Sequence, residues 1–571
     1  MLFSRVSLLK PVISSLYRLM NRKHKVYLVI LIMLTVGSSL IETIGVSVIM
    51  PFISLASDPR LVNTGYYKKA FDFFHFANVE SFIISLGISI IIFYVIRAIY
   101  SVLLVYSQNR FSFGMYKYLS MKIFNVSLAA SYKVHALKNT GELMQAITNE
   151  ASDASRVLLN VLQFFSEIFT IGMVYAVIVL LNWKLTLILT AVLLLIVLIL
   201  LSFLAAINRN QGQKRLISGR NLNRTLKETF SNFKFVKLKG NEEDILKLYD
   251  GIIEMRTRSE VINNLLSIMP KNILESLGFS LLVAVVVYIV WVYHDASQVI
   301  PIITMYALAL YRILPSTHRM LSNLNYIAYM QKTLESVDES LNQPVENEGA
   351  EPIVFNQAIR LDTISFKYIS GGEVLANVSL DIKKGEKIAI TGESGSGKTT
   401  LVDIIIGIHR PVTGTVFIDN IALTESNIRS WRKKIGYIPQ TIYLFDGTVA
   451  DNVSFGSKPD ENRIITALHM ANIWEFLCEK DGLKTKVGEG GIQLSGGQQQ
   501  RIGIARALYD DPEVLVLDEA TSALDSETER KIMEELYDVS KNKTLIIIAH
   551  RLSTVEQCDR KITMEHGKII K

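Results

Sequence analysis

The chain has 571 residues, half of them are hydrophobic, and its mean hydropathy is +0.30. A chain this long and this apolar is not a single soluble domain. The net charge of +7 is attributed to lysines and arginines that mark cytoplasmic loops of a membrane protein, rather than to nucleic-acid binding. Cys478 and Cys558 give no disulfide framework, which fits a reducing cytoplasm.

The first part of the chain is predicted to be a helical membrane domain over residues 1–334. A helix needs about 20 apolar residues to span a bilayer. Residues 1–25 carry basic side chains and no acid, which favours a cytoplasmic N-terminus. We predict six spans, at residues 26–56, 81–107, 158–182, 184–207, 272–293 and 299–325.

An external amphipathic helix is predicted over residues 66–76, between the first two spans. Tyr67, Ala70, Phe71 and Phe74 recur at helical spacing in this stretch, with lysines alongside. Such a helix lies in the membrane interface, either as an aromatic anchor or as a direct contact for a transported molecule.

Two cytoplasmic stretches of the membrane domain, near 131–143 and 229–240, are predicted to contain short helices at the tips of membrane helices.

The part of the chain after residue 334 has ordinary globular composition. Residues 335–352 are polar and acidic and contain Pro and Gly, so they are interpreted as a linker. Strand and helix signals then alternate over 353–571, which predicts an α/β domain.

A glycine-rich phosphate loop lies near the start of the α/β domain. It follows a predicted strand, Lys387–Thr391, and precedes a predicted helix that opens at Thr400. In this setting backbone N–H groups wrap the phosphates, Lys398 reaches the β- and γ-phosphates, and Thr399 holds Mg²⁺. The loop consists of Gly392, Glu393, Ser394, Gly395, Ser396, Gly397, Lys398 and Thr399.

Four polar residues follow predicted strands of the same domain. Asp518 and Glu519 end an apolar strand, where Asp518 can bind Mg²⁺ and Glu519 can act as general base for the attacking water. His550 can reach the γ-phosphate and hold that water, and Gln440 can sense Mg²⁺. Either acid could instead be a helix N-cap or a solvated charge, and His550 could be a structural histidine.

Tyr368 lies before the phosphate loop, directly after the predicted strand residues Phe366 and Lys367. Its ring could stack on adenine, and the alternative is an ordinary strand aromatic.

These elements, in this order, resemble the ATP-binding cassette family. They are Tyr368, the phosphate loop with Thr400, Gln440, the LSGGQ run Leu494, Ser495, Gly496, Gly497 and Gln498, then Asp518-Glu519, Ser522-Ala523-Leu524-Asp525 and His550. The resemblance implies ATP and Mg²⁺ as cofactors. It also implies that Ser495 and Gly497 contact the γ-phosphate of ATP held by a second subunit, and that Asp525 belongs to the same site.

Six spans followed by one cassette resemble an exporter half-transporter, which works as a homodimer. Arg97, Lys271 and Arg312 lie in or at the ends of predicted spans. A cation there is costly unless it faces a wet cavity or has a partner. The three residues therefore either line a cavity for an anion, or they pair with Glu42 and Glu275 and, near the span ends, extend to the membrane interface, as Lys271 would.

A narrower resemblance is to the PglK type of bacterial flippase. It rests on Leu40–Thr43, Met50–Ile53, Phe93–Ala98, Asn232–Lys239, Leu308–Arg312 and Ile435–Gln440. It implies a multi-pass protein of the bacterial inner membrane with a cytoplasmic cassette. The implied cargo is an undecaprenyl-pyrophosphate-linked oligosaccharide for protein glycosylation or O-antigen assembly. Arg97, Lys271 and Arg312 would meet its pyrophosphate, and membrane lipid is the other implied partner.

Two other functions remain open from the sequence. One is export of another lipid such as lipid A, of a drug or of a peptide. The other is an ATP-gated channel or regulator, which intact Glu519 and His550 argue against.

Overall fold

A computed structural model describes residues 9–136, 138–181, 183–293, 299–368, 371–519, 526–549 and 555–570. The chain divides into two compact units. The first contains residues up to Leu128 together with Lys138–Gln343. The second contains Ala129–Leu137 and Pro344–Lys571. The short segment 129–137, which interrupts the first unit in sequence, therefore packs as part of the second.

The described part of the first unit is helical, and a long helix covers each of the six predicted spans. Three of these described helices are long and apolar enough to cross a membrane, namely Arg22–Ser57, Val79–Ala129 and a stretch from Thr140 to Ala176. The helices are Leu9–Leu19, Arg22–Ser57, Gly65–Phe73, Val79–Ala129, Thr140–Gln145, Ala151–Leu181, Trp183–Ser231, Phe233–Lys239, Glu242–Tyr293, Val299–Tyr329 and Gln331–Leu341, with a 3-10 turn at Pro59–Asn63 and a π turn at Ala146–Glu150.

The predicted linker differs from the structure at its start. Residues 335–341 belong to the helix Gln331–Leu341 rather than to an extended connection. The reason is local, because Leu334 and Val337 are buried three residues apart and pack with the main helical core. Glu335 and Asp338, which are partly exposed, gave the segment its polar composition.

The external helix is shorter than predicted, spanning Gly65–Phe73. Tyr67 and Phe71 pack against a small core around Leu55 and Phe82. Tyr66 on the other face is 88% exposed. The helix is therefore amphipathic, as its spacing predicts, although Phe74 lies beyond its end and is exposed.

The second unit contains two described sheets. The strands are β1 Ala358–Lys367, β2 Glu373–Lys383, β3 Lys387–Gly392, β4 Thr413–Ile418, β5 Ile421–Ala422, β6 Ile435–Ile438, β7 Val514–Asp518, β8 Thr544–Ile548, β9 Arg560–Glu565 and β10 Lys568–Ile569. A four-stranded antiparallel sheet has the order β2-β1-β4-β5, and a six-stranded sheet has the order β10-β9-β3-β8-β7-β6, parallel except for β10.

Helices cover the parallel strands, whose apolar runs are buried on both faces. Trp431 is fully buried between the layers and donates a 2.8 Å hydrogen bond from its indole to the carbonyl of Ile405. The helices of this unit are Tyr132–Ala136, Lys398–Ile405, Ile428–Arg432, Val449–Ser454, Glu461–Met470, Trp474–Cys478, Gly496–Leu508 and Ser526–Val539.

Candidate functional site

The parallel sheet brings the predicted catalytic residues to one edge. In the register of the ladder, Ile390 of β3 and Asp518 of β7 both pair with Ile548 of β8. Ile438, the last residue of β6, pairs with Leu517 of β7. Since the strands run in the same direction, their carboxyl ends lie together, and this is where ligands bind in open α/β sheets.

The phosphate loop joins β3 to the helix Lys398–Ile405. Gly395 has a φ of +81° and Gly392 a φ of +141°, which L side chains rarely adopt. A Cβ at Gly392 would also lie 2.2 Å from the carbonyl oxygen of Met564. Two glycines are therefore required by this backbone, independently of any ligand.

Lys398 and Ser396 are buried in the loop. The Lys398 ammonium donates to the carbonyl oxygens of Gly392 at 3.0 Å and Glu393 at 2.8 Å. The hydroxyl of Ser396 is buried and has no hydrogen-bond partner among the described residues. A buried hydroxyl without a partner is costly, and a phosphate oxygen would supply one. Thr399, next in the chain, is exposed.

Glu519 and Gln440 are in direct contact. Nε2 of Gln440 donates a 2.8 Å hydrogen bond to Oε2 of Glu519. The backbone of Glu519 has a φ of +48°, and its N–H donates to the carbonyl of Ile548 on the neighbouring strand. Strain of this kind persists only where the surroundings hold it, and it concentrates at functional sites.

Asp518 is held from behind by residues that the sequence analysis did not single out. The hydroxyl of Tyr437, on β6, donates a 3.0 Å hydrogen bond to its Oδ2. Burial raises the pKa of Asp518, and the nearby Glu519 charge raises it further, while the Tyr437 hydrogen bond and Lys398 oppose these effects. Burial, with the Asp518 charge, raises the pKa of Asp403 to about 6. The sequence did contain a clue to Asp403, because this residue lies on the helix that follows the phosphate loop.

Tyr368 lies just beyond the end of β1 and is 38% exposed. Its hydroxyl is 3.1 Å from Oγ1 of Thr400, the residue after Thr399. The ring therefore lies beside the start of the phosphate-loop helix, as an adenine contact would require.

The LSGGQ run lies at the beginning of the helix Gly496–Leu508. The Ser495 side chain accepts a hydrogen bond from the backbone of Gln498, whose side chain bonds back to the backbone of Ser495. This capping box fixes the start of a 13-residue helix whose N-terminal N–H groups favour an anion. Leu494 is buried, whereas Ser495 and Gly496 are exposed.

Two predicted site residues, His550 and Asp525 with its neighbours Ser522–Leu524, lie outside the described residues. The same holds for the side chain of Arg312, although its backbone belongs to the helix Val299–Tyr329.

In the first unit, Arg97 lies beside Glu42. The two charged groups are 3.5 Å apart, and both side chains are about a quarter exposed. They line a cavity of about 260 Å³ between the helices Arg22–Ser57 and Val79–Ala129. Tyr94 also lines it, with its ring 5.4 Å from the Arg97 guanidinium. Lys271 is exposed on another helix and does not line this cavity.

A second charged pair was missed from the sequence. Arg319 contacts Glu167 through two hydrogen bonds, of 2.5 Å from Nε and 3.1 Å from Nη2. The signal was available, because both residues are charges inside or beside otherwise apolar helices.

Comparison with known proteins now places the chain. Residues 25–314 match the family described as ABC transporter transmembrane region, and residues 375–522 match ABC transporter. The chain belongs to the ABC transporter family. This agrees with the resemblance of its cassette motifs, since the matched regions are a transporter membrane region followed by an ATP-binding cassette.

Several bacterial relatives of this ABC transporter are named ATP-dependent lipid A-core flippase. One from Paraburkholderia xenovorans (strain LB400) is 32% identical over 79% of this chain and 77% of its own length. One from Burkholderia pseudomallei (strain 1710b) is 44% identical, but the match spans only 40% of this chain and 40% of that relative. A Nostoc relative, heterocyst differentiation ATP-binding protein HepA, is 30% identical over 79% of this chain and 75% of its own length.

The fold of this ABC transporter is that of a known exporter. A structure of a bacterial Atm1-family ABC exporter with ATP bound superposes with a TM-score of 0.77 at 21% identity, covering 96% of this chain and 94% of that one. The exporter architecture expected from the sequence is thus confirmed. The narrower PglK-type resemblance is not shown by these comparisons, whose relatives carry lipid A-core names.

Proposed function

We propose that the chain is one half of a homodimeric, ATP-driven flippase that moves a phosphate-bearing glycolipid across a bacterial inner membrane, with its cassette in the cytoplasm. One observation supports ATP binding and hydrolysis above all. At one edge of the parallel sheet lie Gly392, Asp518, Glu519 and Gln440. The cargo rests on Arg97 beside its cavity and on the names of the relatives.

Within the ATP site, the phosphate loop cradles the nucleotide phosphates. The loop fits them because its glycines have the required backbone and Ser396 has a buried hydroxyl without a described partner. Lys398 reaches the β- and γ-phosphates by leaving the loop carbonyls that now hold it. Thr400 contributes to nucleotide binding by holding the hydroxyl of Tyr368, whose ring stacks on adenine.

Asp518, Thr399 and Gln440 are the proposed ligands of Mg²⁺, directly or through water. The donor set fits, since Mg²⁺ prefers oxygen ligands and needs only one or two carboxylates beside the phosphates. Among the described residues no three His, Cys, Asp or Glu side chains gather into a metal cluster. Bound Mg²⁺ neutralises phosphate charge, while Tyr437 orients the Asp518 carboxylate.

Glu519 is the proposed general base. Gln440 holds its carboxylate at 2.8 Å, so the acceptor for the proton of the attacking water is already oriented. His550 is proposed to hold the same water and the γ-phosphate. That role, like the place of Asp525, rests on the cassette resemblance.

A second copy of the chain is proposed to complete each ATP site. Its residues 494–498 would bring the helix start at Gly496 to the γ-phosphate, where N–H groups and the helix dipole favour negative charge. Closure on ATP and reopening after hydrolysis would drive alternating access.

The favoured cargo is a lipid A-core type of glycolipid, which the sequence analysis held only as an alternative. The names of the relatives favour it. Arg97 supports any lipid that carries phosphate, because a guanidinium binds phosphate oxygens in pairs. The Glu42 carboxylate keeps this cation neutralised within the apolar helices until an anion enters the cavity.

An undecaprenyl-pyrophosphate-linked oligosaccharide remains the second candidate. It is supported by the same cavity beside Arg97. The roles of Lys271 and Arg312 as further cations rest on the flippase resemblance alone. The amphipathic helix Gly65–Phe73, with its exposed Tyr66, would lie near the lipid tail in either case.

Lipid-stimulated ATPase activity separates these cargoes. We expect a lipid A-core preparation to stimulate hydrolysis more than an undecaprenyl-pyrophosphate oligosaccharide, and a neutral glycolipid to have no effect. Arg97→Gln should abolish the stimulation, while Arg110→Gln, an exposed arginine on the same helix, should keep it. Equal stimulation by the neutral lipid would rule out recognition of phosphate.

A further inference from the structure

We propose that His409 is a positioning residue for ATP binding, because it fixes the ring of Tyr368 in the orientation that stacks on adenine. The inference rests on the proposed role of Tyr368 and assigns His409 a function of its own. The residue lies four positions after the end of the helix Lys398–Ile405, outside every motif that identified the cassette.

His409 is the centre of an aromatic cluster. Its ring stacks on Phe366 with centroids 5.0 Å apart and an interplanar angle of 27°. The edge contact with Tyr368 has a centroid distance of 5.5 Å and an angle of 84°. Phe366 and Tyr368 also meet edge to face at 5.1 Å. The Tyr368 ring is therefore held by two aromatic neighbours.

Tyr368 lies outside the strand that precedes it. It follows the last residue of β1, and among the described residues the ladder with β2 ends at Lys367. Loop side chains sample several orientations unless packing restrains them. Besides the two rings, the bond between the Tyr368 hydroxyl and Thr400 anchors the far end of the side chain. With both ends held, stacking on a base costs less conformational entropy.

The surroundings keep His409 in place as a neutral ring. Its side chain is 4% exposed, and Nε2 lies 3.9 Å from Oδ2 of Asp403. Burial lowers the pKa of His409, and the charge of Lys133 lowers it further. Tyr132 covers another side of the ring at a centroid distance of 5.6 Å. A buried, uncharged imidazole packs as an aromatic wall rather than as a pH switch.

The same cluster includes residues from segment 129–137. Tyr132 contacts His409, and the Lys133 ammonium lies 5.8 Å from the centre of the Phe366 ring. Segment 129–137 lies in sequence between membrane helices, but it packs with the cassette unit. The orientation of Tyr368 is therefore sensitive to the position of this segment, through His409.

The test measures equilibrium binding of ATP and of inorganic triphosphate, which has no base, to the full-length chain. A Glu519→Gln background prevents hydrolysis. His409→Ala should weaken ATP binding by about 3- to 10-fold, the effect of losing an aromatic pair, and leave triphosphate binding unchanged. His409→Phe, which keeps a ring at this place, should restore most of the ATP affinity.

Two outcomes would overturn the inference. Equal weakening of ATP and triphosphate by His409→Ala would show general damage to the phosphate loop. Unchanged ATP affinity would show that Tyr368 needs no such support. Tyr368→Ala separates these failures from failure of the proposed site, because it must itself lower ATP affinity without affecting triphosphate. If it does not, the adenine assignment of Tyr368 falls, and the role of His409 with it.

Discussion

Gln440 and Glu519, 79 residues apart in sequence, are joined by a 2.8 Å hydrogen bond between the ends of adjacent parallel strands. The amide of Gln440 donates to the carboxylate of Glu519 and so orients it. The backbone of Glu519 is strained at φ +48°. A residue held in this way suits a base that must meet a water in one place.

Glu519→Gln should lower ATP hydrolysis by about 10²- to 10⁴-fold, the usual contribution of a general base. ATP binding should persist, because the phosphate loop is untouched. The matched control is Glu513→Gln, at the opposite end of the same strand region, where the carboxylate pairs with Lys384 and Lys434. Steady-state hydrolysis and nucleotide binding check the two effects. Undiminished hydrolysis in Glu519→Gln would place the base elsewhere.

Tyr437→Phe removes the hydroxyl that bonds to Asp518 and keeps the ring. Since partners behind a metal ligand tune affinity by about 10- to 100-fold, we expect the Mg²⁺ concentration for half-maximal ATPase to rise by roughly 10-fold. The maximal rate at saturating Mg²⁺ should change little. Tyr443→Phe, at an exposed tyrosine, is the control. A fall in maximal rate with unchanged Mg²⁺ dependence would contradict the assignment.

Asp403→Asn should stabilise the protein, and more so at higher pH. The pKa of Asp403 is raised from 3.8 to about 6 by burial, so its ionised form is disfavoured in the folded state. The destabilisation that results from ionising the buried carboxyl is absent below the pKa of the unfolded state, and it is fully present above pH 6. We expect a rise in Tm of about 2–5 °C at pH 7.5 and a smaller rise at pH 4.5.

The control for this experiment is Asp510→Asn, an exposed acid whose side chain is 69% accessible. It should leave Tm within a degree or so at both pH values, since surface changes of this kind have little effect on stability. A larger gain from Asp403→Asn at pH 4.5 than at pH 7.5 would reverse the sign and contradict the burial argument.

Glu42→Gln should strengthen the response to an anionic lipid. The Glu42 carboxylate lies 3.5 Å from Arg97 and competes with any phosphate for it. We expect the lipid concentration for half-maximal ATPase stimulation to fall by roughly 3- to 10-fold, which is about 0.6–1.4 kcal/mol. Glu80→Gln, exposed at the start of the helix that carries Arg97, is the control. If Glu42→Gln weakens the response as Arg97→Gln does, the pair serves the fold alone.

The cassette could be predicted from sequence because its chemistry is local. The phosphate loop, LSGGQ and the acids Asp518 and Glu519 each follow a strand or precede a helix that their apolar runs reveal. The contacts between them were not visible, because Tyr437 and Asp518 meet only through strand order in the sheet. His409 was missed for the same reason, as its ring partners come from two distant parts of the sequence.

In the membrane unit, length and hydropathy predicted the long helices, but composition failed at the linker. Glu335 and Asp338 suggested an open connection, while Leu334 and Val337 hold the segment in a buried helix. Pairing of charges was equally hidden. The sequence offered Glu42 as one partner for Arg97 but gave no reason to connect Glu167 with Arg319, 152 residues away.

Flipping of a labelled lipid A-core glycolipid in proteoliposomes tests the central claim most directly. We predict that ATP added on the cassette side moves the lipid to the opposite leaflet, that Glu519→Gln stops this movement, and that Arg97→Gln reduces it while unstimulated hydrolysis continues. Movement of the lipid that is independent of ATP, or that persists at full rate in Glu519→Gln, would contradict the account.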